Sequence, residues 1–182
     1  MRIPKVYLAG PDVFLPNAVA LGQQKREVCA AHGLEGLFPL DADLALDGLD
    51  PRAAGLLIYE ANIGLIEQAD GCLANLTPYR GVSADVGTAY EVGHMRGLGK
   101  PVFAYSGAAS LFADRVRASL DLAATATHDA SGLLIEDFSM VDNLMLDGAV
   151  NISESAIFCH EANLIAMEAF ERTVQAAAHA LL

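Results

Sequence analysis

Basic side chains are scarce in this chain: 11 Lys and Arg stand against 23 Asp and Glu, a formal net charge of -12. A nucleic-acid ligand would need a basic footprint to meet its phosphates, and an anionic membrane surface would need the same, so neither is an expected partner. The acidic residues are dispersed rather than gathered in one tail, which reads as a solvated surface. Cysteine is also rare. Cys29, Cys72 and Cys159 lie far apart with no paired spacing, which is neither a disulfide framework nor a zinc pattern and fits a reducing compartment. No uncharged run reaches the ~18 residues of a membrane span. In the N-terminal MRIPKVYLAGPD, Gly10-Pro11-Asp12 cuts the apolar run too short for a secretion signal. These absences predict a cytoplasmic protein.

Several catalytic signatures are missing as well. There is no GxxxxGK[ST] loop and no GxGxxG, so nucleoside triphosphates and dinucleotides lack their usual phosphate cradle. No serine lies in GxSxG and no cysteine–histidine site stands out, which argues against a Ser or Cys hydrolase. Glu91 and His94 make a single Glu-x-x-His, where a carboxylate-bridged metal site needs two such pairs and further glutamates. The expectation is an activity with no metal and no cofactor.

What is present suits a folded core. The chain has 182 residues, 53% of them hydrophobic, and a mean hydropathy of +0.34, enough for one domain over residues 1–182. Strand-like and helix-like segments alternate. Val6 to Ala9 is a short apolar run ended by Gly10-Pro11. Asn17 to His32 reads as an amphipathic helix, and Leu34 to Leu40 as a strand that Pro39 stops early. Asp41 to Asp50 is an acidic loop. Pro51 then opens a helix, at the position proline tolerates best, that runs to about Ala69. Asp70 to Leu76 is a third strand and Val102 to Tyr105 a fourth. Ser110 to Leu122 reads as a helix, Gly132 to Asp137 as a fifth strand between loops, and Ser153 to Leu182 as a long closing helix. Such alternation predicts an α/β fold with a parallel sheet, helices on both faces and right-handed crossovers.

The chain centres on Asn75 to Pro101. This stretch begins at the polar end of an apolar run, passes through a loop with Pro78 and Gly81, and enters a helix that carries Glu91 between Tyr90 and Val92. Asp85 sits where a helix N-cap belongs, since its short acidic side chain can accept from the unpaired N–H groups of the first turn. Ala89, Gly93 and Gly97 recur at spacing four. Glycine in a helix interior is disfavoured by ~1 kcal/mol relative to alanine, so two of them need a packing or access reason. In a doubly wound sheet the site forms at the carboxyl ends of the strands where strand order reverses. That rule gathers Tyr7, Gly10, Asp12, Phe14, Arg80, Gly81, Asp85 and Glu91. A metal-free, carboxylate-bearing pocket of this kind suits attack at an anomeric carbon, where one carboxylate traps an oxocarbenium-like centre.

The segments Tyr7-Leu8-Ala9-Gly10-Pro11-Asp12-Val13-Phe14, Asn62 to Asp70, Pro78 to Gly81, Asp85 to Gly93 and Asp142-Asn143-Leu144-Met145-Leu146 resemble the nucleoside 2-deoxyribosyltransferases. The likeness runs from about Lys5 to Gly148 and is most specific around Glu91. It implies a five-stranded flavodoxin-like (Rossmann-like) doubly wound sheet and a homo-oligomer acting on nucleosides and free bases. By the resemblance, Glu91 is the nucleophile that forms a covalent 2-deoxyribosyl intermediate, and a second base then attacks with retention. Tyr7 orients the nucleophile, and Asp85 holds the sugar 5′-hydroxyl. Gly10, Pro11, Asp12, Phe14, Asn62, Arg80 and Gly81 fall in substrate-binding segments, while Asn143 and Met145 reach a neighbouring subunit's site.

The chain departs from the best-studied bacterial members at Asn62, where they carry an aspartate. An amide is no general acid, so Asp12 is the expected proton donor to the leaving base. Each residue also has a bland reading: Tyr7 as core with its hydroxyl paired at an edge, Asp85 as a plain cap, Phe14 as packing and Met145 as core filler. Two rival functions remain. The 2′-deoxynucleoside 5′-phosphate N-hydrolases share the fold and the glutamate, but carry a phosphate-binding serine at the position of Asp85. A fixed carboxylate there repels a phosphate dianion by ~1–4 kcal/mol, although Ser83 and Arg80 offer phosphate contacts nearby. The other rival is a non-catalytic nucleotide-sensing domain on the same scaffold.

Overall fold

Short apolar runs separated by helices become a single parallel sheet. The computed structural model describes residues 2–41, 44–151, 153, 156–161 and 164–182. Its strands are β1 (Lys5–Ala9), β2 (Glu35–Leu37), β3 (Gly71–Asn75), β4 (Val102–Ser106) and β5 (Ile157–Cys159). They run in the order β2-β1-β3-β4-β5, and every pairing is parallel. The fold is therefore a doubly wound α/β sheet of the flavodoxin type, and its strand order reverses between β1 and β3.

The helices are α1 (Ala18–Ala31), α2 (Pro51–Gln68), α3 (Val86–Gly97), α4 (Phe112–Ser119), α5 (Leu144–Asn151) and α6 (Met167–Leu181). Period-two alternation along the strands builds two cores. Tyr7, Ala9, Cys72 and Ala74 face Ile66 of α2, Val92 and Met95 of α3, and Leu146 and Val150 of α5. Val6, Leu8, Leu73 and Phe103 face Cys29 of α1 and Phe170, Val174 and Ala177 of α6. Local chemistry sets the ends of several elements. Asp50 caps α2 by accepting from the amides of Arg52 and Ala53, with Pro51 inside the first turn. Gly10 follows β1 with no room for a side chain, because a Cβ there would lie 2.7 Å from Asn75 Cβ and from Asp12 Oδ2.

Two expectations fail in the C-terminal third. Gly132 to Asp137 is not a strand: Leu133 and Leu134 are exposed, and the Asp129 carboxylate holds the turn by accepting from the amides of Ser131 and Leu133. The fifth strand is Ile157–Cys159, which pairs with β4 from Ala104 to Ser106. The open edge of a buried central strand needs a hydrogen-bonding partner, and that requirement interrupts the long closing helix expected over 153–182. In its place are β5 and the shorter α6, whose first turn follows Ala166 in a left-handed conformation, φ 38°. Part of the acidic loop, at 42 and 43, lies outside the described residues.

Candidate active site

The strand reversal puts the end of β1 beside the end of β3, with Tyr7 paired to Cys72 across the ladder. Tyr7 is fully buried, and its hydroxyl donates to Glu91 Oε1 at 2.6 Å. Residues 84 positions apart in sequence thus meet under the first half of α3. Burial is the largest influence on Glu91 and disfavours its charged form. The Tyr7 hydrogen bond works the other way, nearby Asp85 adds repulsion, and the net effect pushes the carboxyl up to about 7. Burial and the charge of Glu91 both push the Tyr7 phenol far above its ordinary range. Tyr7 therefore stays protonated and acts as a fixed donor.

Asp85 is the N-cap of α3, as its position in the sequence predicts. Oδ2 accepts from the amides of Gly87 at 3.0 Å and Thr88 at 3.2 Å. A Cβ at Gly87 would lie 2.9 Å from that same oxygen, so a larger residue there would displace the capping carboxylate. No described residue hydrogen-bonds Oδ1, and the charge of Asp85 is felt at Glu91.

Phe14, Tyr79 and Arg80 form a stack. The Phe14 and Tyr79 rings lie 5.3 Å apart at an angle of 11°, and the Arg80 guanidinium sits 4.9 Å from the Tyr79 ring centre and 5.7 Å from that of Phe14. Phe14 is 58% exposed, which excludes the reading of it as core packing. Gly81 follows Arg80 in an open loop, where a Cβ would meet nothing within 4 Å. On α2, Asn62 Oδ1 is buried with no hydrogen-bond partner among the described residues. One turn before it, the Tyr59 hydroxyl lies 3.0 Å from that of Tyr90, the neighbour of Glu91.

Asp12 does not occupy a proton donor's position. It is 2% exposed. Lys25 Nζ lies 2.8 Å from its Oδ1, and Asn75 Nδ2 is 3.3 Å from both oxygens. Lys25 also donates to the Tyr105 hydroxyl at 2.6 Å. One carboxylate oxygen is paired with Lys25 and both accept from Asn75, so Asp12 holds the loop of Gly10 and Pro11 against the ends of β1 and β3. Ala18, Leu21, Lys25 and Cys29 repeat at helical spacing and all are buried.

Asn143 and Met145 lie elsewhere. With Ala89, Gly93 and Arg96 they line a groove of about 930 Å³ between α3 and α5. At 100° per residue, Ala89 and Gly93 lie on the side of α3 opposite Glu91. The Asn143 amide donates to Glu136 at 2.9 Å, its Oδ1 accepts from the Met145 amide at 3.0 Å, and Met145 is 73% exposed. No group of acidic, cysteine and histidine residues that could hold a metal occurs among the described residues.

A buried glutamate held by a buried tyrosine at the switch point of a flavodoxin-type sheet defines a carboxylate-centred site. Comparison with known proteins gives the family. The sequence profile of the nucleoside 2-deoxyribosyltransferases matches residues 6–145, and the chain belongs to that family. It is 30% identical over 167 residues to an uncharacterised protein of Schizosaccharomyces pombe, covering 84% of this chain and 79% of that one. Among solved structures, a 2-deoxyribosyltransferase of Leishmania mexicana superposes with a TM-score of 0.63 at 26% identity, covering 93% of this chain and 97% of that one. A conserved protein of Enterococcus faecalis shares the fold, with a TM-score of 0.55 at 18% identity over 97% of this chain and 99% of that one.

Proposed function

We propose that this protein transfers the 2-deoxyribosyl group of a 2′-deoxynucleoside to a free purine or pyrimidine base. A Glu91 oxygen attacks C1′ as the bond from C1′ to the base nitrogen breaks. The leaving base keeps the electron pair and takes up a proton. A nitrogen of the second base then attacks C1′, displaces Glu91 and releases a proton, and two inversions give retention. The observation that carries this reading is the 2.6 Å contact from Tyr7 to Glu91, beside an Asp85 oxygen that no described residue binds. The unpartnered Asn62 oxygen and the Phe14–Tyr79–Arg80 stack support a base-binding role for those residues.

The opposed placement of Glu91 and the Asn143–Met145 segment about α3 supports a homo-oligomer with shared sites, because one chain does not bring them together. The unpaired cysteines support a reducing, cytoplasmic setting. No helix among the described residues is long and apolar enough to cross a membrane.

The test is to supply deoxyinosine or thymidine with free adenine. Deoxyadenosine is the expected product. Free base and deoxyribose alone would favour the hydrolase, whose one supporting feature is the exposed Arg80 guanidinium; repeating the assay with a 5′-monophosphate decides it. A slow 2-fluoro nucleoside should label the peptide that carries Glu91. Ligand affinity retained in Glu91→Ala, with no turnover by the unsubstituted protein, would favour a sensing domain.

A further inference from the structure

Asp142 lies outside the pocket, yet its carboxylate is fully buried and fully engaged. Oδ1 accepts from the Ser83 hydroxyl and from the Asn143 amide at 2.7 Å. Oδ2 accepts from the Ala84 amide at 3.0 Å and from Arg115 Nη2 at 3.3 Å. Arg115, on α4, also donates from Nε to the Val82 carbonyl at 2.8 Å and from Nη2 to the Val141 carbonyl at 2.7 Å. Two side chains thus hold two separated segments against each other: the loop that ends in Asp85, and the segment that begins Asn143-Leu144-Met145.

Beyond the stack of Tyr79 and Arg80 on Phe14, little else fixes that loop. Arg80 has φ 53°, a conformation uncommon for a side-chain-bearing residue, and Gly81 follows it. The Tyr79 amide donates to the Ser83 carbonyl at 3.0 Å within the loop itself. Between Tyr79 and Ala84, hydrogen bonds to the rest of the chain among the described residues run to Asp142 and Arg115. A buried carboxylate is costly to keep unless its acceptor sites are filled, and here the donors come from the segments being held and from the arginine that clamps them. The arrangement therefore fixes geometry at the point where α3 begins.

We infer that Asp142 and Arg115 are positioning residues for the transfer reaction, setting where Asp85 presents its free Oδ1 to the sugar 5′-hydroxyl. The inference rests on the reading of Asp85 given above. Asp142→Asn keeps the volume but turns one acceptor into a donor facing donors, so the loop loses one of its three hydrogen bonds to Asp142 and Arg115. The reacting pair, Tyr7 and Glu91, is held by β1 and the body of α3 and stays in place. The effect should fall on sugar recognition and leave the chemical step.

The experiment compares thymidine with 5′-deoxythymidine as donors to adenine. The unsubstituted enzyme should prefer the donor with the hydroxyl, and Asp85→Ala should abolish the preference. Asp142→Asn should reduce it by about tenfold, the scale of one hydrogen bond to a charged group, through KM and with kcat within about twofold. In an Asp85→Ala background the same substitution should not change the preference at all, an outcome a general loss of folded protein does not produce. Should Asp142→Asn fail to fold, Ser83→Ala removes one donor only and should move the preference the same way by a smaller factor. A full preference retained in Asp142→Asn, or in Ser83→Ala where that variant is used, while Asp85→Ala loses it, overturns the inference. A preference retained in Asp85→Ala removes the reading of Asp85 and the inference with it.

Discussion

Lys25 and Asp12 face each other across 2.8 Å in an interior that excludes water from both. Burial lowers the pKa of Lys25, and the Asp12 charge opposes that shift. Removing one partner of such a pair strands the other charge. Asp12→Asn or Lys25→Met alone should therefore destabilise the fold by roughly 3–5 kcal/mol, whereas Asp12→Asn with Lys25→Met should cost clearly less. Urea denaturation of the four proteins measures the coupling. The pH profile of turnover in Asp12→Asn should keep its shape, because this carboxylate moves no proton in the reaction.

Turnover should fall on the acid side with a midpoint near the Glu91 value of about 7, because in the proposed reaction only the carboxylate attacks carbon. Tyr7→Phe removes a hydrogen bond that favours the ionised form. It should move that midpoint up by about one to two pH units, with kcat at neutral pH down by roughly 10- to 100-fold. A pH series of kcat/KM on both proteins is the measurement, and an unmoved midpoint would detach Tyr7 from the nucleophile.

Stability carries the same signature with a definite sign. The folded value of Glu91 is raised above its ordinary 4.5 to about 7. Between those limits the unfolded chain ionises at this position and the folded chain does not. The contribution is fully present below pH 4.5 and is lost as pH rises through 7. Glu91→Gln abolishes the loss, so at about pH 8 it should be inactive yet more stable than the unsubstituted protein by about 3 kcal/mol. Thermal unfolding on either side of the two values, at about pH 4 and about pH 8, would expose the crossover.

A mixture of two defective chains should recover activity. Glu91→Gln lacks the proposed nucleophile, and Met145→Ala lacks the exposed side chain on the opposite side of α3. Dissociated and reassembled together, they should form some sites with both groups intact, with up to about a quarter of full activity for random pairing in a two-chain assembly. No recovery, with mixed assemblies verified by mass, would refute shared sites.

Much of this was legible in the sequence, for reasons that differ by segment. Val6 to Ala9 and Asp70 to Leu76 read as strands because apolar runs end in turn residues, and Asp50-Pro51 and Asp85 announced their helices by capping chemistry. Leu133-Leu134-Ile135 misled because only Ile135 is buried. Ile157 to Cys159 was hidden because three residues carry no periodicity, and only the unfilled edge of β4 selects them. Tyr7, Asp85 and Glu91 could be brought to one place by topology alone. The partners of Asp12 and Asp142 could not, since Lys25 and Arg115 sit in helices where a cation ordinarily reads as solvated.

Asp85 caps α3 with one oxygen, and no described residue hydrogen-bonds the other. If the second oxygen holds the sugar as proposed, selection for a different sugar substituent cannot alter that task without touching the cap. Alanine here would loosen the very helix that bears Glu91, whereas serine retains a cap while removing the negative charge. A path toward phosphorylated substrates is therefore narrow at this position, and the architecture itself favours which residue lies along it.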